Sequence, residues 1–339
     1  MALPDDNKQI GQTDVRRAAR LSVAPMMDWT DRHCRYFHRL LSQKTLLYTE
    51  MVTAPALVKG GALHLLDYAP EEHPVALQLG GSDPQELAQA TRQSRDWGYD
   101  EVNLNVGCPS DRVQSGRFGA VLMEEPALVT ECVSTMVAAS TGAEVTVKCR
   151  IGVDDQNAED VLPEFLARVA TGGVRSFTVH ARKAWLQGLS PKENRDVPPL
   201  DYDLVYRMKA LFPALEIVIN GGITNLAEVE THLEHVDGVM LGRAAYHEPA
   251  LLGHVDKLLF DSDAETRAED AVLAMLPYIE RELGKGTRLN QITRHMLGIF
   301  TGRPGARRWR RMLSEEAHKD GAGPDLVERA LNEVSRLAA

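Results

Sequence analysis

The amino-acid sequence predicts an α/β fold, in which a TIM (β/α)8 barrel is followed by a small all-helical C-terminal domain. Eight short apolar runs recur between residues 21 and 243, each nearly continuous, as is typical of parallel strands buried on both faces. Segments with helical spacing separate these runs. After about residue 260 only helical patterns remain. A doubly wound open sheet is the alternative, but no GxGxxG pattern follows the first run.

Each apolar run is assigned to one strand. The expected strands are Leu21–Pro25, Thr45–Thr49, Val75–Leu79, Glu101–Val106, Val145–Cys149, Ser176–His180, Glu216–Asn220 and Gly238–Leu241. Capping residues mark the start of helices between them, as Asp83 does before Pro84 and Asn225 does before Leu226. This regular alternation of strand and helix favours the barrel over the open sheet.

Two of the connections, residues 107–126 and 181–199, are longer than the rest, and such loops of a barrel usually lie over its active site. Glycine-rich breaks divide the C-terminal region. Its expected helices are Glu269–Leu283, Leu289–Phe300, Gly305–Lys319 and Pro324–Leu337. The sequence thus predicts an N-terminal extension at residues 1–20, a catalytic barrel at 21–260 and a helical domain at 261–339.

The composition is that of an ordinary globular protein. Of the 339 residues 44% are hydrophobic and 25% charged, which excludes a disordered or collagen-like main state. No apolar run approaches the roughly 18 residues that cross a bilayer, and the polar N-terminus lacks a signal-peptide core. The four cysteines form no CxxC pair. We therefore expect a cytoplasmic protein with no disulfide scaffold, no membrane partner and no metal site.

The charge is unevenly distributed along the chain. The formal net charge is −10, yet residues 284–311 contain no Asp or Glu and eight Lys or Arg residues. Such asymmetry suggests a polyanion that is contacted at one place. A solvated helical face is the simpler interpretation of the same pattern.

Side chains at the carboxyl ends of the strands form the expected active site, because a barrel presents its reactive groups there. Lys148 and His180 end neighbouring apolar strands, and a buried lysine needs a partner or an electron-rich ligand. A reduced flavin ring is such a ligand, and Gln78 could bond its edge. Glycines after the last two strands can bind a phosphate, which would complete flavin mononucleotide (FMN). The alternatives are a structural histidine and two tight turns.

Cys108 follows the fourth strand, in the motif from Asn103 to Pro109. Gly107 allows close approach to a ligand, and Pro109 favours an extended backbone at the cysteine. A thiol is mostly protonated at neutral pH, so it can donate a proton. Burial as a structural cysteine is the alternative, and it is the expectation for the other three cysteines.

These residues resemble the tRNA-dihydrouridine synthases, and most closely their A branch. The matching segments are Val23–Asp28, Val75–Leu79, Asn103–Pro109 with Phe118–Ala120, Thr146–Gly152, Thr178–Arg182, Ile219–Ile223 and Met240–Arg243. The stretch from His180, through Leu186–Arg195, to Asp201 and Tyr202 resembles the A branch in particular. So does Asp111–Arg112, where most of the family has a lysine.

The resemblance implies an FMN enzyme that uses NADPH to reduce uridine to 5,6-dihydrouridine in the D-loop of tRNA, at positions 20 and 20a. It implies that Cys108 donates a proton to uracil C5, after hydride addition from flavin N5 to C6, and that Asn105 contacts the substrate. The residues implied to line the FMN are Pro25, Met26, Met27, Gln78, Lys148, His180, Asn220, Gly221, Gly222, Gly242 and Arg243.

Five basic residues are expected to contact tRNA, and the resemblance supports this role. Three of them belong to the basic stretch of residues 284–311. The five are Lys192, Arg195, Arg307, Arg310 and Arg311, of which the last three share one helical face. Trp185 and Trp309 either stack on bases or lie in the core. We expect a monomer. Two other functions stay open from the residues alone: a flavin enzyme for a free pyrimidine, such as a dihydroorotate dehydrogenase, and a tRNA-binding factor without chemistry.

Overall fold

In a computed structural model, which describes residues 12–110, 113 and 116–338, eight parallel strands form a closed barrel. The strands are β1 Leu21–Val23, β2 Leu46–Thr53, β3 Val75–Gly80, β4 Glu101–Val106, β5 Glu144–Arg150, β6 Ser176–His180, β7 Glu216–Asn220 and β8 Gly238–Leu241. They follow one another in chain order, and β1 closes the ring by pairing with β8, where Leu21 lies opposite Val239. The predicted TIM barrel is confirmed.

Most strand residues are buried, as the continuous apolar runs predicted. Two strand bounds differ clearly from the prediction. β1 ends at Val23, and Pro25 has no N–H with which to continue the ladder. β2 continues to Thr53, because its register against β3 shifts between Tyr48 and Met51 and the strand then goes on pairing.

Helices follow the strands and also make up the C-terminal region. They are α1 Gln12–Ala18, α2 Arg32–Leu41, α3 Ala54–Val58, α4 Pro84–Trp97, α5 Pro126–Ala139, α6 Ala158–Ala170, α7 Tyr202–Leu211, α8 Leu226–Leu233, α9 Arg243–His247, α10 Val255–Leu259, α11 Ala268–Gly284, α12 Leu289–Thr293, α13 Ala306–Glu316 and α14 Pro324–Ala338. Both predicted caps form: Asp83 accepts from the backbone N–H of Gln85 and Glu86, and Asn225 from that of Glu228.

The amino end of the barrel is closed by a helix of the predicted N-terminal extension. Residues 1–11 of that extension, like Asp111–Arg112, lie outside the described residues. Arg16 of α1 pairs with Glu144 at 2.9 Å and with Glu216 at 3.4 Å, at the first residues of β5 and β7. This end is opposite the strand ends that carry the predicted site, so α1 packs on the barrel away from that site.

The chain divides into two compact units, residues 1–27 with 46–242 and residues 28–45 with 243–339. The first contains the eight strands, and the second contains α2 and the C-terminal helices. These units differ from the expected functional domains, a catalytic barrel at 21–260 and a helical domain at 261–339. The functional division stays a prediction.

Within the second unit, polar contacts join the segment of residues 28–45 to the C-terminal helices. Asp31 caps α2 and pairs with Arg294 at 2.5 Å and with buried His295 at 3.0 Å. Ser42 donates to the carboxylate of Asp256 at 2.5 Å. The unit is therefore a single packed body made from two separate stretches of chain.

One predicted helix is much shorter than expected. The pattern predicted a helix over Leu289–Phe300, but α12 ends at Thr293. The backbone then continues in turns whose N–H groups bond three residues back, as between Met296 and Thr293. At Gly298 an added Cβ would lie 2.1 Å from the carbonyl oxygen of His247, so only glycine fits where this segment packs against that backbone. Apolar spacing alone does not show such a contact.

Candidate active site

The predicted site residues of β3 to β7 meet at the carboxyl end of the barrel, because the strand register places them side by side. Asn105 of β4 pairs with Lys148 of β5, and His180 of β6 pairs with Asn220 of β7. Gln78 of β3 pairs with Asn103, two residues before Asn105 on the same face. The polar side chains of five consecutive strands thus share one face of the sheet.

A row of amides connects three of these strands inside the barrel. Asn105 Nδ2 donates to Gln78 Oε1 at 2.8 Å, and Gln78 Nε2 donates to Asn103 Oδ1 at 2.8 Å. Asn103 Nδ2 donates in turn to the Thr146 hydroxyl at 2.8 Å. Gln78 and Asn103 are essentially fully buried. Each amide is held by a neighbour of fixed geometry, so the orientation of Asn105 is set by the row.

Cys108 is attached to the end of this row. Asn105 Oδ1 accepts the backbone N–H of Gly107 at 3.1 Å and that of Cys108 at 3.0 Å. The Cys108 thiol is partly exposed and lies 3.5 Å from the Ser110 hydroxyl. The other three cysteines of the chain, Cys34, Cys132 and Cys149, are buried. Cys108 is therefore the one cysteine with access to a ligand.

Lys148 and His180 place two nitrogen bases at this end of the barrel. Lys148 Nζ donates to Asn220 Oδ1 at 3.1 Å, and Asn220 Nδ2 donates to the Met240 carbonyl at 2.7 Å. Burial lowers the pKa of Lys148 to about 8. Burial, with the charges of Arg150 and Lys148, lowers the pKa of His180 well below its usual value, so the imidazole is neutral at pH 7.

The glycines after β7 and β8 have different surroundings. Gly221 has φ +112°, and a Cβ there would lie 2.5 Å from the His180 ring. Gly222, with φ +76°, is likewise crowded by Leu200. At Gly242 a Cβ would meet no described atom within 4 Å, so protein packing does not require glycine there. Gly221 and Gly222 let the chain turn beneath His180, whereas Gly242 leaves open space at the end of β8.

The remaining predicted ligand-site residues flank β1 and β8. Pro25 and Met26 are half-buried, whereas Met27 is 57% exposed. Arg243 is the first residue of α9, directly after Gly242. An exposed methionine after a barrel strand offers an apolar contact to a ligand.

Arg150 is a buried residue of the site that the sequence analysis did not single out. Its Nε donates to the Gly107 carbonyl at 3.1 Å, and its Nη1 donates to the Asn194 carbonyl at 3.1 Å and the Lys183 carbonyl at 3.4 Å. Its position two residues after Lys148, on the same face of β5, was the available signal. Asn103 was named only as part of the cysteine motif, although it stands two residues before Asn105.

The predicted RNA-contacting residues lie on exposed segments. Lys192 and Arg195 are exposed: Lys192 directly precedes the short 3-10 turn Glu193–Arg195 between β6 and α7, and Arg195 ends it. On α13, Arg307 and Arg311 are exposed and Arg310 is half-buried. Trp309 is fully buried and its indole N–H donates to the Met296 carbonyl, so of its two interpretations the core is correct. Trp185 is half-buried, with Lys183 over its ring.

Neither a membrane span nor a metal cluster is found in the part of the chain that the structure describes. No helix there is long and apolar enough to cross a bilayer. No three His, Cys, Asp or Glu side chains come together there as a set of metal ligands.

Solved structures of low sequence identity share the fold. The old yellow enzyme homologue from Zymomonas mobilis superposes with a TM-score of 0.50 at 12% identity, over 73% of this chain and 90% of that one. TcOYE with pHBA gives 0.51 at 11% identity, over 74% of this chain and 92% of that one. Both confirm the barrel architecture.

Sequence relatives are much closer. A tRNA-dihydrouridine(20/20a) synthase of Vibrio cholerae is 58% identical over 94% of this chain and 98% of its own length. The enzyme of the same name from Escherichia coli K12 is 57% identical over 96% of this chain and 94% of its own length. The dihydrouridine synthase family model matches residues 22–335, which include every predicted site residue. The chain therefore belongs to the dihydrouridine synthase family.

Proposed function

We propose that this protein reduces uridine to 5,6-dihydrouridine in the D-loop of tRNA, at positions 20 and 20a, with FMN as cofactor and NADPH as reductant. The positions are those for which the relatives that share 56–59% of its residues are named. Family membership argues against both an enzyme for a free pyrimidine and a binding factor without chemistry. A tRNA substrate favours action in the cytoplasm, and we propose that the protein acts as a monomer.

The strand-end residues fit a flavin. Lys148 is a half-buried cation that donates to the neutral amide of Asn220, so it suits an electron-rich ring. Gly242 leaves space where a phosphate can approach bare backbone N–H groups. The residues proposed to hold FMN are Pro25, Met26, Met27, Gln78, Lys148, His180, Asn220, Gly221, Gly222, Gly242 and Arg243. When bound and reduced by NADPH, the flavin supplies hydride from N5 to uracil C6.

Cys108 supplies the proton for uracil C5. The single observation that carries this role is its placement: it alone among the four cysteines is partly exposed, and its backbone N–H is fixed by Asn105. The thiol gives its proton to the carbanion that develops at C5, and the resulting thiolate regains a proton before the next turnover. Asn105 is proposed to meet the uracil, since its side chain bonds Gln78 inside the barrel and the backbone N–H of Gly107 beside Cys108.

Replacement of Cys108 tests the proposal. Cys108→Ala should keep its flavin absorbance and its oxidation of NADPH, while formation of dihydrouridine in unmodified tRNA slows by about 10²–10⁴-fold. Cys132→Ala is the matched control, because that thiol is buried on α5 and should be replaceable without effect on the rate. A Cys108→Ala enzyme that modifies tRNA at the normal rate would remove the thiol from the mechanism.

The tRNA is proposed to bind through Lys192, Arg195, Arg307, Arg310 and Arg311. Phosphate contacts of this kind orient RNA without reading its bases. The target base has to leave its stack to reach a site within a barrel, and this costs least for a loop nucleotide. The barrel, residues 21–260, would then carry the chemistry, and residues 261–339 would contribute RNA contacts.

A further inference from the structure

Two loops of the barrel unit meet on one buried side chain. We call residues 107–110, which carry Cys108, the thiol loop, and residues 181–201, which carry Lys192 and Arg195, the RNA loop. Arg150 is 3% exposed and donates to the carbonyl of Gly107 in the thiol loop and to those of Lys183 and Asn194 in the RNA loop. One guanidinium thus joins segments separated by some eighty residues of chain.

The RNA loop has its own internal support, which makes it a rigid element. Asn194 is fully buried; its Oδ1 accepts the Trp185 N–H at 2.7 Å, and its Nδ2 donates to the carbonyls of Trp185 and Leu189. Lys183 Nζ donates to the Asp154 carbonyl at 2.7 Å. These internal hydrogen bonds hold the exposed residues of the loop in one conformation. The position of the loop as a whole then depends on its contacts with Arg150.

The three acceptors of Arg150 are all backbone carbonyls. Burial, with the nearby charges of Arg195 and Arg182, lowers the pKa of Arg150 to about 10, so the guanidinium stays protonated at pH 7. A planar fork can bond several carbonyl oxygens at fixed angles, whereas an ammonium cannot reach the same set. Arginine therefore suits this position, because its guanidinium can hold two loops at a fixed distance through directional hydrogen bonds.

We infer that Arg150 is a positioning residue that fixes the RNA loop against the thiol loop, so that RNA bound on one presents its uracil to the other. This inference rests on the proposed function of Cys108, Lys192 and Arg195. Arg150 touches no reacting atom in this account; it sets the distance between the phosphate contacts and the proton donor.

A double-mutant cycle tests the inference. Arg150→Lys keeps the charge and loses the fork, and should lower kcat for tRNA modification by about tenfold or more, with NADPH oxidation unchanged. In the wild-type background Lys192→Ala with Arg195→Ala should lower kcat/KM. In the Arg150→Lys background the same two substitutions should lower kcat/KM by a factor at least about fivefold smaller, because the loop no longer fixes the RNA relative to the thiol. Additive effects would overturn the inference.

Two further variants keep the test decisive. Asn194→Ala loosens the RNA loop from within and should reduce the effect of the Lys192 and Arg195 substitutions in the same way, even if Arg150→Lys fails to fold. Arg39→Lys is the control, because Arg39 is also buried and donates to two carbonyls, those of Ser42 and Thr45. It should lower Tm without altering the cycle.

The outcomes separate this inference from the proposed function. If Cys108→Ala is inactive and the cycle is additive, the proposed function stands and the positioning role of Arg150 is wrong. If Cys108→Ala is fully active, the proton-donor role of Cys108 fails, and the positioning inference that rests on it fails too, whatever the cycle shows. If the wild-type protein forms no dihydrouridine in unmodified tRNA, the proposed function itself fails.

Discussion

Replacement of Glu101 by glutamine should change how the stability of the barrel depends on pH. Glu101 begins β4 and is 2% exposed; its carboxyl Oε1 accepts from the Thr146 hydroxyl at 2.6 Å and from the Tyr48 hydroxyl. Burial raises the pKa of Glu101 to about 8, although both hydroxyls act to lower it. In the unfolded chain the same carboxyl has its ordinary value near 4.5.

The sign of the effect follows from these two values. Between pH 4.5 and pH 8 the folded state holds a proton that the unfolded state releases, so the contribution of Glu101 to stability falls as pH rises. With 1.36 kcal/mol for each pKa unit, the loss between pH 5 and pH 7 is about 2–3 kcal/mol. Glu101→Gln cannot titrate, so the loss should be absent from the variant.

The measurement is the free energy of unfolding in urea, for wild type and Glu101→Gln, from pH 5 to pH 8. The difference, variant minus wild type, should rise by about 2–3 kcal/mol between pH 5 and pH 7. Glu216 also has a pKa raised to about 8 by burial, but it is present in both proteins and should largely cancel. Glu159→Gln, at an exposed ion pair with Arg207, is the control. A difference that stays level with pH would refute the reasoning.

Three further predictions concern the site. Lys148→Met should purify with much less flavin than wild type, measured by absorbance, because the buried cation is lost. Gly221→Ala forces a Cβ to within 2.5 Å of the His180 ring at φ +112°, so Tm should fall and flavin retention should drop with it. Arg310→Glu should weaken tRNA binding, and flatten its salt dependence, more than Arg311→Glu: no described carboxylate pairs with Arg310, whereas Arg311 already pairs with a glutamate at 3.1 Å. Equal losses in filter binding would contradict the last of these.

The barrel could be predicted from the sequence because its strands are buried on both faces. A strand of this kind is a run of apolar residues, which can be identified in the sequence without knowing its partner strands. Ser176–His180 is an example, since its predicted and observed bounds are the same. The residues that end such runs were identifiable for the same reason: a lysine after Val147 departs from its surroundings. Chain position and residue type were enough to find them.

Arg150 and the segment after Thr293 show what the sequence does not contain. The role of Arg150 lies in carbonyl groups of Gly107 and Asn194, and every residue has a carbonyl, so no residue type marks the acceptors. Likewise, the close approach of Gly298 to the His247 carbonyl is a contact between distant segments. Both features depend on contacts between segments that are distant in the sequence.

The second unit, assembled from residues 28–45 and 243–339, has a consequence for how the protein is made and altered. During synthesis α2 leaves the ribosome long before the helices that cover it, so its apolar side has to wait for the final part of the chain. A truncation after Gly242 would strip that cover rather than release a free-standing barrel. An engineer who wished to exchange the helical unit between relatives would have to transplant the early segment as well.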